Sequence, residues 1–164
     1  MNKESSLIIT KAECHDLSDI LKLQYEAYQS EAVLYNDFSI QPLMQTLEQI
    51  VQEHRGSTFL KAVDDGKIIG SVRAHAKLDT VYINKLIVLP AYQNRGLGKR
   101  LLRAIEQEFP GKRYELFTGA KSAKNLTLYE KSGYVRYKEE QKSPGLVLIY
   151  LEKKSWIDSS YDHD

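Results

Sequence analysis

The run Gln93-Asn94-Arg95-Gly96-Leu97-Gly98-Lys99-Arg100 sets two glycines one residue apart among three cationic side chains. It lies where a strand-like segment gives way to an apolar stripe of helical spacing. The first turn of a helix already carries unpaired N–H groups and the positive end of the helix dipole. Acidic residues there stabilise by about 0.3–1 kcal/mol each, and basic residues cost a similar amount. Arg95, Lys99 and Arg100 therefore oppose the dipole unless an anion sits among them. Glycine lets a ligand approach the backbone closely, so converging N–H groups and cations suit a diphosphate. The same residues also fit an ordinary helix start with solvated basic side chains.

Two familiar phosphate loops do not fit. A mononucleotide loop needs four residues between its first glycine and Gly-Lys-Ser/Thr, whereas here one residue separates the glycines and Arg100 stands where the hydroxyl belongs. A dinucleotide turn needs a third small residue where this chain has Leu101.

The elements that position this turn are legible on both sides of it. Ser6–Thr10 has strand character, and Leu17, Ile20, Leu21, Gln24 and Tyr28 recur at helical spacing. A second helix is expected after Pro42, with Leu43, Leu47, Ile50 and Val51, ending near Gly56. The period then becomes two: residues 58–63 and 67–78 flank Asp64-Asp65-Gly66, a hairpin signal. On the second of these strands Val72, Ala74, Ala76 and Leu78 share one face, and Arg73, His75 and Lys77 form a polar row on the other. His75 is thus expected to be a solvated strand residue. A longer strand from Thr80 stops at Pro90, which lacks a ladder N–H. The stripe Leu97, Leu101, Leu102, Ile105 and Phe109 follows, ended by Pro110-Gly111. A strand near 114–118, a short helix closed by Gly133 and a hairpin around Pro144-Gly145 complete the order βααβββαβαββ, an α/β sandwich with a mostly antiparallel sheet.

At 164 residues one core suffices, and a single domain over 1–154 with a polar tail at 155–164 is expected. The 23 basic and 22 acidic side chains nearly cancel, which argues against a nucleic-acid binder held by bulk charge. Cys14 is the single cysteine, so neither an internal disulfide nor a zinc site is expected, and no metal is called for. No apolar run approaches the roughly 20 residues that span a bilayer, and no leader pattern opens the chain, so a soluble, cytoplasmic protein without membrane or nucleic-acid partners is expected.

Val88, Pro90, Gln93, Gly96 and Gly98 reproduce, without a gap, a strand ending V-x-P followed by Q-x-x-G-x-G. At these residues the chain resembles the GNAT superfamily of acetyl-coenzyme A-dependent N-acetyltransferases. Asn125, Tyr129, Lys131, Gly133 and Tyr134 match a second family pattern, and 65–73 resemble the hairpin before the family's long strand. The resemblance spans roughly residues 7 to 152. It implies a six- to seven-stranded mixed sheet with helices on both faces. In this family a bulge splays the long strand from the one after the Gly-turn helix, and the pantetheine arm fills the gap. Leu86, Ile87 and Val88 are then the backbone contacts to that arm, with the Leu86 N–H polarising the thioester carbonyl. Gln93, Asn94, Arg95, Gly96, Leu97, Gly98 and Lys99 are the implied diphosphate turn, and Asn125 the implied contact to pantetheine or a bridging water. Tyr129 is implied as the acid that protonates the departing thiolate, although its spacing from Leu126 equally suits a core aromatic, and Asn125 equally suits a helix cap.

The general base stays open. Family members with a glutamate base often carry it where Tyr82 stands, and the alternatives are Tyr82 itself, Glu26, Asp37, a water chain, or an amine that arrives neutral. The segment 11–55 carries eight acidic and three basic side chains, net −5, which suggests a cationic amine acceptor or else merely solvated helix faces. Tyr25, Tyr28, Tyr35 and Phe38 would wall an acceptor pocket or belong to the core. The expected function is transfer of acetyl from acetyl-CoA to a small-molecule or peptide amine, against a catalytically silent acyl-CoA-binding module or a nucleotide binder. Trp156, beyond the last strand, is expected to cover a core edge or a partner in a homodimer.

Overall fold

A computed structural model describes residues 7–154, so Trp156 and the tail from 155 lie outside the described residues. Strands β1 (Leu7–Lys11), β2 (Thr58–Asp64), β3 (Lys67–Lys77), β4 (Thr80–Val88), β5 (Arg113–Gly119), β6 (Val135–Ser143) and β7 (Leu146–Lys154) form one sheet in the order β1-β2-β3-β4-β5-β7-β6. All neighbours run antiparallel except β4 and β5. The turn between β2 and β3 holds Asp65 and Gly66 at φ 49° and 81°. Two positive φ values make the turn whose twist matches that of its strands.

The first half of the chain departs from expectation in its helices. Two were expected between β1 and β2, and four are present: α1 (Leu17–Ala27), α2 (Gln29–Tyr35), α3 (Gln41–Met44) and α4 (Leu47–Arg55). Asn36 ends α2 in the left-handed region at φ 50°, a conformation asparagine tolerates at a helix end. Between α3 and α4 the backbone extends at Gln45, and Thr46 caps α4. Its hydroxyl accepts from the Gln49 N–H at 3.2 Å, while the Gln49 side chain accepts from the Thr46 N–H at 3.0 Å. That reciprocal cap is strong enough to start a new helix where a continuous one was expected.

Helices α5 (Leu97–Gln107) and α6 (Ala123–Lys131) complete the fold. α5 buries Leu97, Leu101, Leu102 and Ile105 in the main core with Leu60, Ala62, Val72 and Ala74. Each such side chain contributes about 1.5–3 kcal/mol relative to exposure. A Cβ at Gly70 would lie 3.0 Å from Leu101 Cδ1 and 3.5 Å from Ala62 Cβ, so glycine on β3 sets how closely α5 approaches the sheet.

The opposite face of β3 carries α1 and α4, whose Leu17, Ile20, Leu21 and Ile50 pack around Phe59. Because helices cover both faces here, the expected polar row is interrupted: Arg73 is 1% exposed. Its guanidinium lies 4.4 Å over the Phe59 ring, donates to Gln24 Oε1 at 2.7 Å and pairs with Glu53 at 2.8 Å. Gln24 Nε2 donates to Gln45 Oε1 at 2.9 Å and to the Pro42 carbonyl at 2.8 Å, and Gln45 Nε2 donates to Glu53 at 2.8 Å. The Tyr25 hydroxyl also donates to the Gln45 carbonyl. One buried cation thus ties α1, the α3–α4 junction, α4 and β3 together. His75, two residues on, is exposed as expected and stacks on Tyr82 at 5.3 Å.

Burial alone would raise the Glu53 pKa, but the Arg73 charge and the hydrogen bond from Gln45 outweigh it and hold the carboxyl below its ordinary value. The stabilisation from this ionised group is therefore complete above the ordinary pKa near 4.5 and fades as pH falls below it. Removing the carboxylate leaves a buried guanidinium without its charge partner, so Glu53→Ala is expected to cost about 3 kcal/mol in denaturant unfolding at pH 7. The difference from the parent chain should shrink in the same measurement at acid pH.

Candidate active site

Pairing between β3 and β4 runs Arg73 with Asn84 and then Ser71 with Ile87, two steps on one strand against three on the other. The extra residue of β4 is a bulge at Lys85, whose φ is 47°. On its other side β4 pairs with β5 only from Thr80 to Tyr82, opposite Arg113 to Glu115. From there the two strands separate, with β5 continuing alongside β7 to Gly119. The stretch Ile83–Val88 has no strand partner on that side. A cleft of about 1230 Å³ opens there, walled by Ile83–Val88 of β4, Phe117–Gly119 of β5, α6, the α1–α3 region and the β6–β7 turn.

At one end of the cleft lies the glycine turn. The first α-helical bond of α5 is Arg100 N–H to the Gly96 carbonyl at 3.1 Å. Among the described residues the amides of Leu97, Gly98 and Lys99 thus have no backbone acceptor, and no side chain caps the helix. Gly96 adopts φ 79°, which strains any residue bearing a Cβ. Gln93 braces the turn against the strand by donating from Nε2 to the Val88 carbonyl at 3.0 Å. Gln93, Asn94, Gly96, Leu97, Gly98 and Lys99 all line the cleft with Leu86, Ile87 and Val88. Arg95 does not; its guanidinium lies 5.5 Å over the Tyr92 ring. Arg100 lines a shallow depression with Arg103 and Ile9 on the flank of α5.

Opposite the open edge of β4, α6 presents Asn125 and Tyr129 to the cleft. Asn125 Nδ2 donates to Thr118 Oγ1 at 3.2 Å and so fixes α6 to the end of β5. Tyr129 is largely buried, with its ring 6.3 Å from that of Tyr134. Burial, reinforced by Tyr28 and Glu31, pushes the Tyr129 pKa well above the ordinary phenol value, so the group stays protonated. α2 closes the cleft from above. The Tyr35 hydroxyl accepts from the Lys121 N–H at 3.0 Å, and Glu31 accepts from the Ser122 hydroxyl at 2.7 Å.

The candidates for a general base separate in the structure. Tyr82 sits where β4 and β5 are still paired, stacked on His75, and does not line the cleft. Glu26 is exposed outside it. Asp37 lines it, but its carboxylate accepts from the Ser39 N–H at 2.8 Å and hydroxyl at 2.6 Å, which lowers its pKa. Of the eight acidic side chains between 11 and 55, Glu31 and Asp37 are the two in the lining, so the charge of that segment resides mostly elsewhere. Tyr28 and Tyr35 line the cleft, while Tyr25 and Phe38 do not. Sequence reasoning missed Lys85 and Glu31: the period-two row Val81, Ile83, Lys85 and Ile87 marks Lys85 as inward-facing, whereas Glu31 lies in a helix that was not expected. Among the described residues no group of three or more His, Cys, Asp or Glu is arranged to hold a metal, and no helix is long and apolar enough to cross a membrane.

Residues 24–155 match the acetyltransferase (GNAT) domain family. The chain belongs to that family. It is similar to N-acetylaspartate synthetase of Rattus norvegicus, 27% identical over 155 residues, and to UPF0157 protein YqkA of Bacillus subtilis, 24% identical over 141 residues. These alignments take in 90% and 83% of this chain but only 51% and 40% of the two relatives, so the chain spans about half of their length or less. The fold is shared with the PaiA N-acetyltransferase of Thermoplasma acidophilum solved in complex with coenzyme A, at a TM-score of 0.73, 20% identity and coverage of 91% and 99%.

As a GNAT domain, this structure has groups that fit coenzyme A. Three free amides, a glycine at positive φ and Lys99 suit its diphosphate, and the unpartnered edge at Leu86–Val88 suits an extended amide-bearing arm. The bridge from α2 is close-packed: a methyl at Gly119 would overlap the Tyr35 hydroxyl. Gly119→Ala is therefore expected to displace Tyr35, costing about 1–3 kcal/mol by overpacking, and to speed amide exchange at Lys121 in hydrogen-exchange mass spectrometry. An unchanged exchange rate would mean that the bridge does not hold in solution.

Proposed function

We propose that this GNAT domain moves the acetyl group of acetyl-CoA to a primary amine of a small molecule or a protein by direct attack. The observation that carries this reading is a cleft lined both by Tyr129 and by the open edge of β4, and ending in free amides. Acetyl-CoA supplies an activated thioester. The Leu86 N–H donates to its carbonyl oxygen, where negative charge grows as the amine attacks; a donor fixed in advance at such a position is worth on the order of 10²-fold in rate or more. Gln93, Asn94, Gly96, Leu97, Gly98 and Lys99 hold the diphosphate, Arg95 lends its charge from the rim, and Asn125 positions the arm. Ile87 and Val88 continue the backbone contacts.

Tyr129 gives the departing sulfur its proton. An ordinary phenol near pKa 10 and a thiol near 8.5 are close enough for transfer. Burial raises the Tyr129 pKa, so the phenol is protonated and able to donate. Tyr82, outside the cleft, has no part in this scheme, and the amine proton leaves to the solvent that fills the open cleft.

A second reading, an acyl-CoA-binding module without catalysis, is favoured by Tyr82, which stands where the family resemblance implies a glutamate in members that use a glutamate base. Thiol release from acetyl-CoA in the presence of amines separates the two, since a binding module releases none. Replacing Tyr129 with Phe is expected to lower kcat by about 10²-fold while the Kd of acetyl-CoA changes less than about twofold. An unchanged kcat would remove Tyr129 from the mechanism.

A further inference from the structure

Lys85 is 9% exposed, and the part of it that solvent reaches opens into the cleft. Among the described residues it makes no hydrogen bond and no ion pair. Glu53 acts on it only from beyond contact distance and is already engaged at 2.8 Å by Arg73 and by Gln45 Nε2. Around the bulge there are thus two buried cations, Arg73 and Lys85, and one carboxylate, Glu53. Tyr28, which lines the same cleft from the junction of α1 and α2, is neutral, its pKa pushed up to about 12 by burial. Glu31, at the cleft edge, is held by Ser122. Among the described residues Lys85 is thus the one of these two cations with no carboxylate in contact, and it borders the cleft, where a ligand anion can reach it.

We propose that this anion is a carboxylate carried by the acceptor, so that Lys85 anchors the acidic group of an amino acid or peptide whose amine is acetylated. This inference rests on the acetyl-transfer reading and names its substrate class. Lys85 and Leu86 are neighbours on β4 and both line the cleft, so an acceptor held at Lys85 by its carboxylate lies in the same cleft as the carbonyl polarised by the Leu86 N–H. The net negative charge of segment 11–55 does not oppose this, because most of it lies outside the cleft. Burial first, then the like charge of Arg73, lower the Lys85 pKa to about 8 against the pull of Glu53. The side chain is still mostly a cation at pH 7, and a carboxylate beside it strengthens that state.

The test is thiol release from acetyl-CoA at pH 7 with matched acceptors: glycine, β-alanine, aspartate and dipeptides, each against its carboxamide. The parent chain is expected to favour the free acids by at least tenfold in kcat/KM. Lys85→Met, which replaces a buried cation with an apolar chain of similar length and so preserves the fold, is expected to erase that preference, while Lys85→Arg retains part of it. Equal use of acids and carboxamides, or a preference that survives Lys85→Met, overturns the anchor and leaves acetyl transfer standing. No thiol release with any of these acceptors overturns the anchor, and none with polyamines, aminoglycosides and longer peptides as well overturns acetyl transfer too.

Discussion

With Lys85 in the left-handed region, β4 cannot stay in register with β3 and remain bonded to β5 along its length. The bulge adds one residue, bends the strand and leaves Ile83–Val88 without a partner on one side. An unpaired strand edge normally invites another strand. Here the edge is short and enclosed by α6, α2 and the β6–β7 turn, so an extended ligand chain can reach it and a whole strand cannot. The glycine turn lies past the end of that same strand, and the brace from Gln93 to the Val88 carbonyl ties the two together. The glycine turn and the open edge are thus placed by one strand.

The face of the sheet beneath the bulge is held by charge as well as by apolar packing. Arg73 is buried against Phe59 and satisfied by Gln24 and Glu53, and the same guanidinium lies close enough to disfavour a second cation at Lys85. Its Nε is the one buried side-chain polar atom among the described residues with no hydrogen-bond partner. A charged network of this kind contributes little net stability compared with a well-packed apolar core, but breaking it is costly. Its clearest consequence is positional: α1 and α4 are locked to β3, which steadies the α1–α3 wall of the cleft.

Features decided by local stereochemistry were legible in the sequence. Asp65-Gly66 specifies its turn, Pro90 ends β4, the stripe from Leu97 to Ile105 builds α5, and Gly96 takes the positive φ its place requires. Spacing around Val88–Gly98 and Asn125–Tyr134 was enough to name the family that the match over 24–155 then showed. Features that depend on what covers a residue were not legible. Strand alternation assigns Arg73 to a polar row, yet α1 and α4 roof that row. The division into α3 and α4 was written in Thr46 and Gln49, a capping signal hidden by an apolar spacing that ran across it. Tyr82 shares a strand with Leu86 but is separated from it by the point where the ladder opens, and that point follows from the bulge.

The central claim is that the edge at Leu86–Val88 receives the cofactor's arm. Amide hydrogen exchange, read residue by residue with and without acetyl-CoA, tests it most directly. Slowed exchange of amides within 86–88 together with those of Leu97, Gly98 and Lys99 is the predicted result. Slowing confined to the glycine turn, with 86–88 exchanging as before, would contradict the account.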